Sequence, residues 1–172
     1  VLCSESEIVK KGNEYIINGS PTENALVNLA ISSGVDVIAI RKKFPLLNIK
    51  HRSEKINYMV TIHNVSNIGN SGVCPKIIAI KGSPLEVLSL CNYYMMDGKK
   101  ILLSDEDRIK FEIENEKMAS DALRVLGVAY AFIDEKILTS FASSGFEDNG
   151  SIKESIHELL HYTKDIIWLG LI

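Results

Sequence analysis

The turn signals constrain this chain more than any other feature. Asp97-Gly98 divides a run of alternating apolar character over 93–103, and the alternating segments 46–52 and 57–64 meet across Ser53-Glu54. An Asp-Gly pair supplies the two positive-φ residues of a tight hairpin, whose twist matches that of the flanking strands. Links this short join antiparallel neighbours only, because a parallel pair needs a crossover of about a dozen residues or more. Strands and helices alternate irregularly, and there is no internal repeat. The expectation is therefore α+β: a twisted, mainly antiparallel sheet flanked by helices, rather than a doubly wound one. A length of 172 residues with 46% hydrophobic content suits a single domain over 1–172 that needs no disulfide or metal to hold it.

The remaining elements follow from local signals. Residues 13–17 predict a short strand running into Asn18-Gly19-Ser20-Pro21. A helix over 22–33 follows, with Ser20 as cap, Pro21 in the first turn, Glu23 at the positive end of the dipole and Gly34 as stop. Its helical spacing puts Leu26, Leu29 and Ala30 on the core face. Residues 35–44 are ambiguous and fit a second short helix. The β-branched run 76–81 reads as a buried strand, 84–91 as a helix capped by Ser83, 123–133 and 165–172 as strands, and 151–162 as a helix. The strongest helix signals lie over 104–120, where Ser104 and Asp107 form a capping-box pattern and Ile109 and Ile113 keep helical spacing. Residues 66–72 and 134–150 read as polar loops.

A formal net charge of −3 offers no basic stripe to nucleic acid or to an anionic membrane surface. Cys3, Cys74 and Cys91 are odd in number and widely spaced, which fits a reduced compartment. No apolar stretch reaches the ~18–20 residues of a membrane span. Walker, G-x-G-x-x-G and G-x-S-x-G patterns are all absent, so any nucleotide site must be built in another way. His157-Glu158-Leu159-Leu160-His161 matches H-E-x-x-H, in which two histidines one turn apart grip zinc and the glutamate acts as base. A zinc hydrolase would also need a third protein ligand; the eleven residues after His161 contain no His, Glu or Cys, which leaves an upstream residue such as His51 or His63. The alternative reading is an amphipathic helix with Ile156, Leu159 and Leu160 in the core.

Three separated segments carry a resemblance. They are Gly19-Ser20-Pro21-Thr22-Glu23-Asn24-Ala25-Leu26, then Lys81-Gly82-Ser83-Pro84-Leu85-Glu86-Val87-Leu88 with Cys91, and Asp121-Ala122-Leu123-Arg124-Val125-Leu126-Gly127-Val128-Ala129. In order and spacing the chain resembles the nucleotide-binding domain of P-type cation-transporting ATPases, with its G-[DS]-P-T-E-x-A-L, K-G-[AS]-P-E and R-x-L-x-x-A segments. Val1-Leu2-Cys3 and Trp168 to Ile172 are similar to the segments that lead into and out of that domain. The resemblance implies ATP as ligand, with magnesium in the intact pump. It implies Glu23 accepting from the adenine amino group, Lys81 lining the adenine site beside Gly82, which leaves room for the nucleotide, and Arg124 forking onto a phosphate.

The family's F-x-x-x-x-K-x-M segment is altered. Aligned on Met59, Arg52 stands in place of the phenylalanine and Asn57 in place of the lysine, which leaves the Arg52 guanidinium to stack on the base with help from Lys55 or Tyr58. No catalytic residue is expected here, because the D-K-T-G motif whose aspartate takes the phosphoryl group is not in this sequence. By this resemblance the chain is a piece of a longer membrane pump, on its cytoplasmic side. It works with the phosphorylation and actuator domains of the same pump and meets the membrane only through the transmembrane part. The runner-up is a degenerate domain of the same fold that binds no nucleotide.

Overall fold

The structure, a computed structural model, describes residues 1–12, 14–65, 75–134, 137, 159–160, 163 and 165–172. The described elements run β1 (Glu7–Lys11), β2 (Glu14–Asn18), α1 (Pro21–Ser32), α2 (Val37–Lys43), β3 (Leu46–Lys50), β4 (Tyr58–Asn64), β5 (Lys76–Gly82), α3 (Pro84–Leu90), β6 (Tyr93–Met96), β7 (Lys99–Leu102), α4 (Asp105–Ser120), β8 (Gly127–Ile133) and β9 (Ile167–Leu171). β3 to β9 form one seven-stranded sheet in the order β3-β4-β5-β8-β9-β6-β7, while β1 and β2 pair as a separate ribbon. Within the large sheet the β6–β9 pair is parallel and the other pairs are antiparallel. The fold is the mainly antiparallel α+β arrangement expected.

The period of two sorts the side chains. Tyr58, Val60 and Ile62 of β4, Ile78 and Ile80 of β5, Ala129, Ala131 and Ile133 of β8 and Trp168 of β9 share one face and pack with Val87 and Leu88 of α3. Met59, Thr61 and His63 point the other way and are buried too. The N-terminal segment and α2 cover that face, with the Cys3 thiol 3.5 Å from the Met59 carbonyl oxygen and His63 Nδ1 3.0 Å from the Phe44 carbonyl oxygen. Leu159 and Leu160 lie in the core, while His157, Glu158, His161 and the rest of the helix expected over 151–162 fall outside the described residues.

Local signals hold at several turns and caps. Asp97 and Gly98 have φ of 49° and 74° and join β6 to β7. Ser104 and Asp107 form the full capping box, and the Ser20 side chain accepts from the Glu23 amide. Asp36 caps α2 by accepting from the Ala39 amide at 2.9 Å, which settles the ambiguous segment 35–44 as helix. Other readings need correction. Ser83 occupies the cap position of α3 but makes no capping hydrogen bond. The strand expected over 123–133 begins at Gly127, after Ala122 turns the chain with φ of 57°. In α1, Val27 is fully buried and Leu29 is half exposed, because only a narrow side of that helix meets the protein. The helix expected over 104–120 does form, with Ile109 and Ile113 exposed. That helix attaches instead through Phe111, which stacks edge-on near Tyr94 at 5.6 Å and tilted near Trp168 at 5.8 Å.

Arg108 makes the other attachment of α4. Its guanidinium donates to the Leu88 carbonyl at 2.8 Å and the Cys91 carbonyl at 2.7 Å, closing the C-terminal end of α3. Arg108→Met should cost about 2 kcal/mol, since two part-buried carbonyls lose a charged donor. A drop in the denaturation midpoint at unchanged slope would register that loss.

Candidate functional site

The ends of several elements meet around a cavity of about 730 Å³, a size within the range of small-molecule sites. Pro21 and the Ser20 cap start α1 so that Glu23 sits in its first turn. β5 runs antiparallel to β4 with Lys81 opposite Met59 and Gly82 opposite Tyr58, which brings the end of β5 to the same corner. The turn before β4, where Ser53 bridges Ile56, presents Arg52. The stretch ahead of β8 presents Arg124, anchored by paired backbone bonds of 2.9 Å between Leu126 and Ile172. Glu23, Arg52, Tyr58, Lys81, Gly82 and Arg124 all line this one cavity.

Their states differ. Lys81, only 7% exposed, donates through its ammonium to Glu23 Oε1, while Glu23 Oε2 accepts from the Glu5 amide at 3.3 Å. Burial pushes the Glu23 carboxyl up, but the Lys81 ammonium, the Ser4 hydroxyl and the Glu5 amide outweigh it and hold the group below the usual glutamate value. Glu5 also pairs with His51 at 3.2 Å on the exposed rim. Arg52 and Arg124 are exposed and have no ion-pair partner among the described residues. With the other lining charges paired, the corner carries two free guanidinium groups in a chain whose net charge is −3.

Tyr58 lines the cavity, yet it is only 5% exposed and belongs to the apolar core. Burial, and secondarily the Glu86 carboxylate, push its phenol up. Asn57, at the position where the resemblance calls for lysine, is pinned by Glu86, which accepts from its backbone amide at 2.9 Å and its side-chain amide at 2.6 Å. A side chain on Gly82 would reach the Asn57 carbonyl oxygen at 2.3 Å and Tyr58 Cα at 2.4 Å. The approach of the two strands by itself accounts for this glycine.

Glu5, Ser6 and His51 also line the cavity and were not anticipated. Glu5 and Ser6 precede the first strand and carry no motif, and His51 reads in the sequence as part of an alternating run and as an upstream candidate for the third zinc ligand, not as a residue of this cavity. Among the described residues no group of three His, Cys, Asp or Glu side chains is placed to hold a metal ion, and no single helix is long and apolar enough to cross a membrane.

The mainly antiparallel seven-stranded sheet with its flanking helices fits the fold of a P-type ATPase N domain. Residues 1–172 match the family described as P-type ATPase, cytoplasmic domain N, and the chain belongs to it. It is 32% identical over 130 residues to Calcium-transporting ATPase 1 of Lactococcus lactis, which covers 76% of this chain and 14% of that protein. It is 27% identical over 169 residues to a Calcium-transporting ATPase of Bacillus subtilis, covering 91% of this chain and 18% of that protein. It is also 27% identical over 129 residues to Cation-transporting ATPase pma1 of Synechocystis, covering 75% of this chain and 13% of that protein. The chain thus spans less than a fifth of the length of these relatives.

Proposed function

We propose that this domain holds ATP for a P-type cation pump and presents the γ-phosphate to an aspartate in a neighbouring phosphorylation domain, on the cytoplasmic side of the membrane that the rest of the pump spans. The observation that carries this reading is the convergence of residues from three separated segments, Glu23, Lys81 with Gly82, and Arg124, on one cavity. Two unpaired guanidinium groups at that corner suit a polyphosphate, because their planar forks match phosphate oxygens. Lys81 and Glu23 offer a donor and an acceptor to the base, once their mutual contact opens. Magnesium is expected with ATP in the intact pump. Among the described residues no group of three His, Cys, Asp or Glu side chains is placed to hold it. The domain supplies binding and orientation, and approach to the aspartate requires closure against the neighbouring domain.

One observation favours the runner-up, a domain that no longer binds nucleotide. Tyr58 is committed to the core and Asn57 to Glu86, so neither is free for the base. An NMR titration with ATP decides between the two. Saturable shifts at Glu23, Gly82 and Arg124, with a dissociation constant on the order of 0.1–1 mM and weakened in Lys81→Ala, are the expected result. Shifts absent at millimolar ATP would sink the isolated site and leave a degenerate domain or one that binds only in the intact pump.

A further inference from the structure

Residues 4–6 belong to no strand or helix, yet they form a wall of the nucleotide cavity through Glu5 and Ser6. Their other side borders a second cavity of about 440 Å³, lined among others by Ser4, Arg41 and His63. Among the described residues no ladder holds this strap. Its carbonyls are held by one side chain, Arg41 in the last turn of α2, which donates through Nη1 to Ser6 O at 2.5 Å and through Nη2 to Ser4 O at 3.1 Å and Val1 O at 3.5 Å. Ser6 is seated from the opposite direction. Its hydroxyl donates to Asn24 Oδ1 at 3.0 Å, and a side chain on Gly19 would strike the Ser6 hydroxyl oxygen at 2.4 Å. The strap then offers the Glu5 amide to Glu23 Oε2, while Lys81 takes Oε1. Glu23 is therefore gripped at both oxygens, by a backbone donor whose place depends on Arg41 and by the lysine of β5.

We propose that Arg41 is a positioning residue for the nucleotide site: by clamping residues 4–6 it fixes the backbone donor that orients the Glu23 carboxylate, and through it the Lys81 ammonium. The proposal rests on the nucleotide reading for its functional consequence but not for the clamp itself. The geometry calls for arginine in particular. Carbonyls two residues apart are met by the two arms of one planar fork, which a lysine ammonium on a flexible stem does not reproduce. Burial lowers the Arg41 pKa, the mark of a guanidinium taken partly out of water, where a bond to a carbonyl is worth most. Arg41 makes no hydrogen bond to Glu23, yet its charge acts on that carboxylate across space, so Arg41→Lys, which keeps the cation, separates charge from clamp.

The test is a carbon-detected NMR titration of the Glu23 carboxyl in the 172-residue chain, in wild type, Arg41→Lys and Arg41→Gln, each followed by addition of ATP. Wild-type Glu23 should titrate below the ordinary glutamate value. Arg41→Lys keeps the cation and loses the fork, so the Glu23 midpoint should rise by about half a pH unit or more, and ATP affinity should fall about 5-fold, the size of one hydrogen bond. Arg41→Gln should do at least as much. A Glu23 midpoint and an ATP affinity in Arg41→Lys equal to wild type would overturn the proposal, since charge alone would then suffice. If the midpoint follows Arg41 while wild type binds no ATP, the clamp stands and the nucleotide reading falls. If Arg41→Gln fails to fold, Arg41→Lys decides. If neither folds, amide relaxation of wild type decides, and a freely moving Glu5 amide sinks the clamp.

Discussion

Gly82→Ala is expected to cost about 3 kcal/mol, at the upper end of what an added methyl does in a packed interior. Most such insertions are absorbed by a side chain that shifts. Here the nearest atoms to the new carbon are the Asn57 carbonyl oxygen at 2.3 Å, Tyr58 Cα at 2.4 Å and Tyr58 Cβ at 2.5 Å. Backbone gives way only if the β4–β5 pair separates, and the hydrogen bond from the Ser83 amide to that same Asn57 carbonyl at 2.8 Å ties it at this point. β5 is a central strand, paired with β4 on one side and β8 on the other, so the disturbance cannot be passed to an edge. Chemical denaturation should show a lower midpoint, with backbone shifts concentrated at 56–59 and 81–84 in the NMR spectrum. A stability within about 0.5 kcal/mol of wild type, the range of ordinary surface changes, would mean that Asn57 and Tyr58 do not crowd Gly82. A loss of ATP binding in Gly82→Ala is consequently no evidence that the nucleotide touches Gly82.

Much of the fold was legible because its signals are local. Asp97-Gly98, the Ser104 capping box and the Ser20-Pro21-Thr22-Glu23 helix start each carry their own chemistry, and each forms as read. The β1–β2 ribbon was only half seen, since Glu7–Lys11 is exposed at four of its five positions and shows no alternation to read. Ile109 and Ile113 keep the helical spacing read for 104–120 and yet are exposed. Helical spacing says that a stripe exists, not that a partner covers it, and α4 is held by Phe111 and Arg108 instead. For the candidate site, motif spacing named residues that the topology does collect in one cavity. It did not tell that Tyr58 is committed inward, because alternation in β4 is uninformative when both faces are buried. Nor did it identify Glu5 and Arg41, whose contacts span 18 and 35 residues along the chain and leave no local trace.

The second large effect is expected at the Glu23–Lys81 pair, whose side chains are 16% and 9% exposed. Lys81→Met should destabilise the domain by about 3 kcal/mol at neutral pH, because a mostly covered carboxylate loses its countercharge. The sign of the pH dependence is fixed by the direction of the Glu23 shift. Its folded value lies below the ordinary 4.5, so in wild type the stabilisation is complete above that pH and is lost as the pH falls through the folded value. In Lys81→Met the first of the lowering influences is gone and burial, the largest single influence, pushes the carboxyl up instead. Acidification then protonates a group that is poorly placed as an anion. The gap in stability between variant and wild type should therefore narrow steadily from pH 7 to about pH 3, and a constant gap would show that the two side chains do not interact. The double variant Glu23→Gln/Lys81→Met removes both charges and should recover most of the loss, giving a coupling of about 2 kcal/mol in the four-protein cycle. ATP binding should not recover with it. The fold needs only that neither charge stands alone, whereas the nucleotide, on the proposed reading, needs both groups.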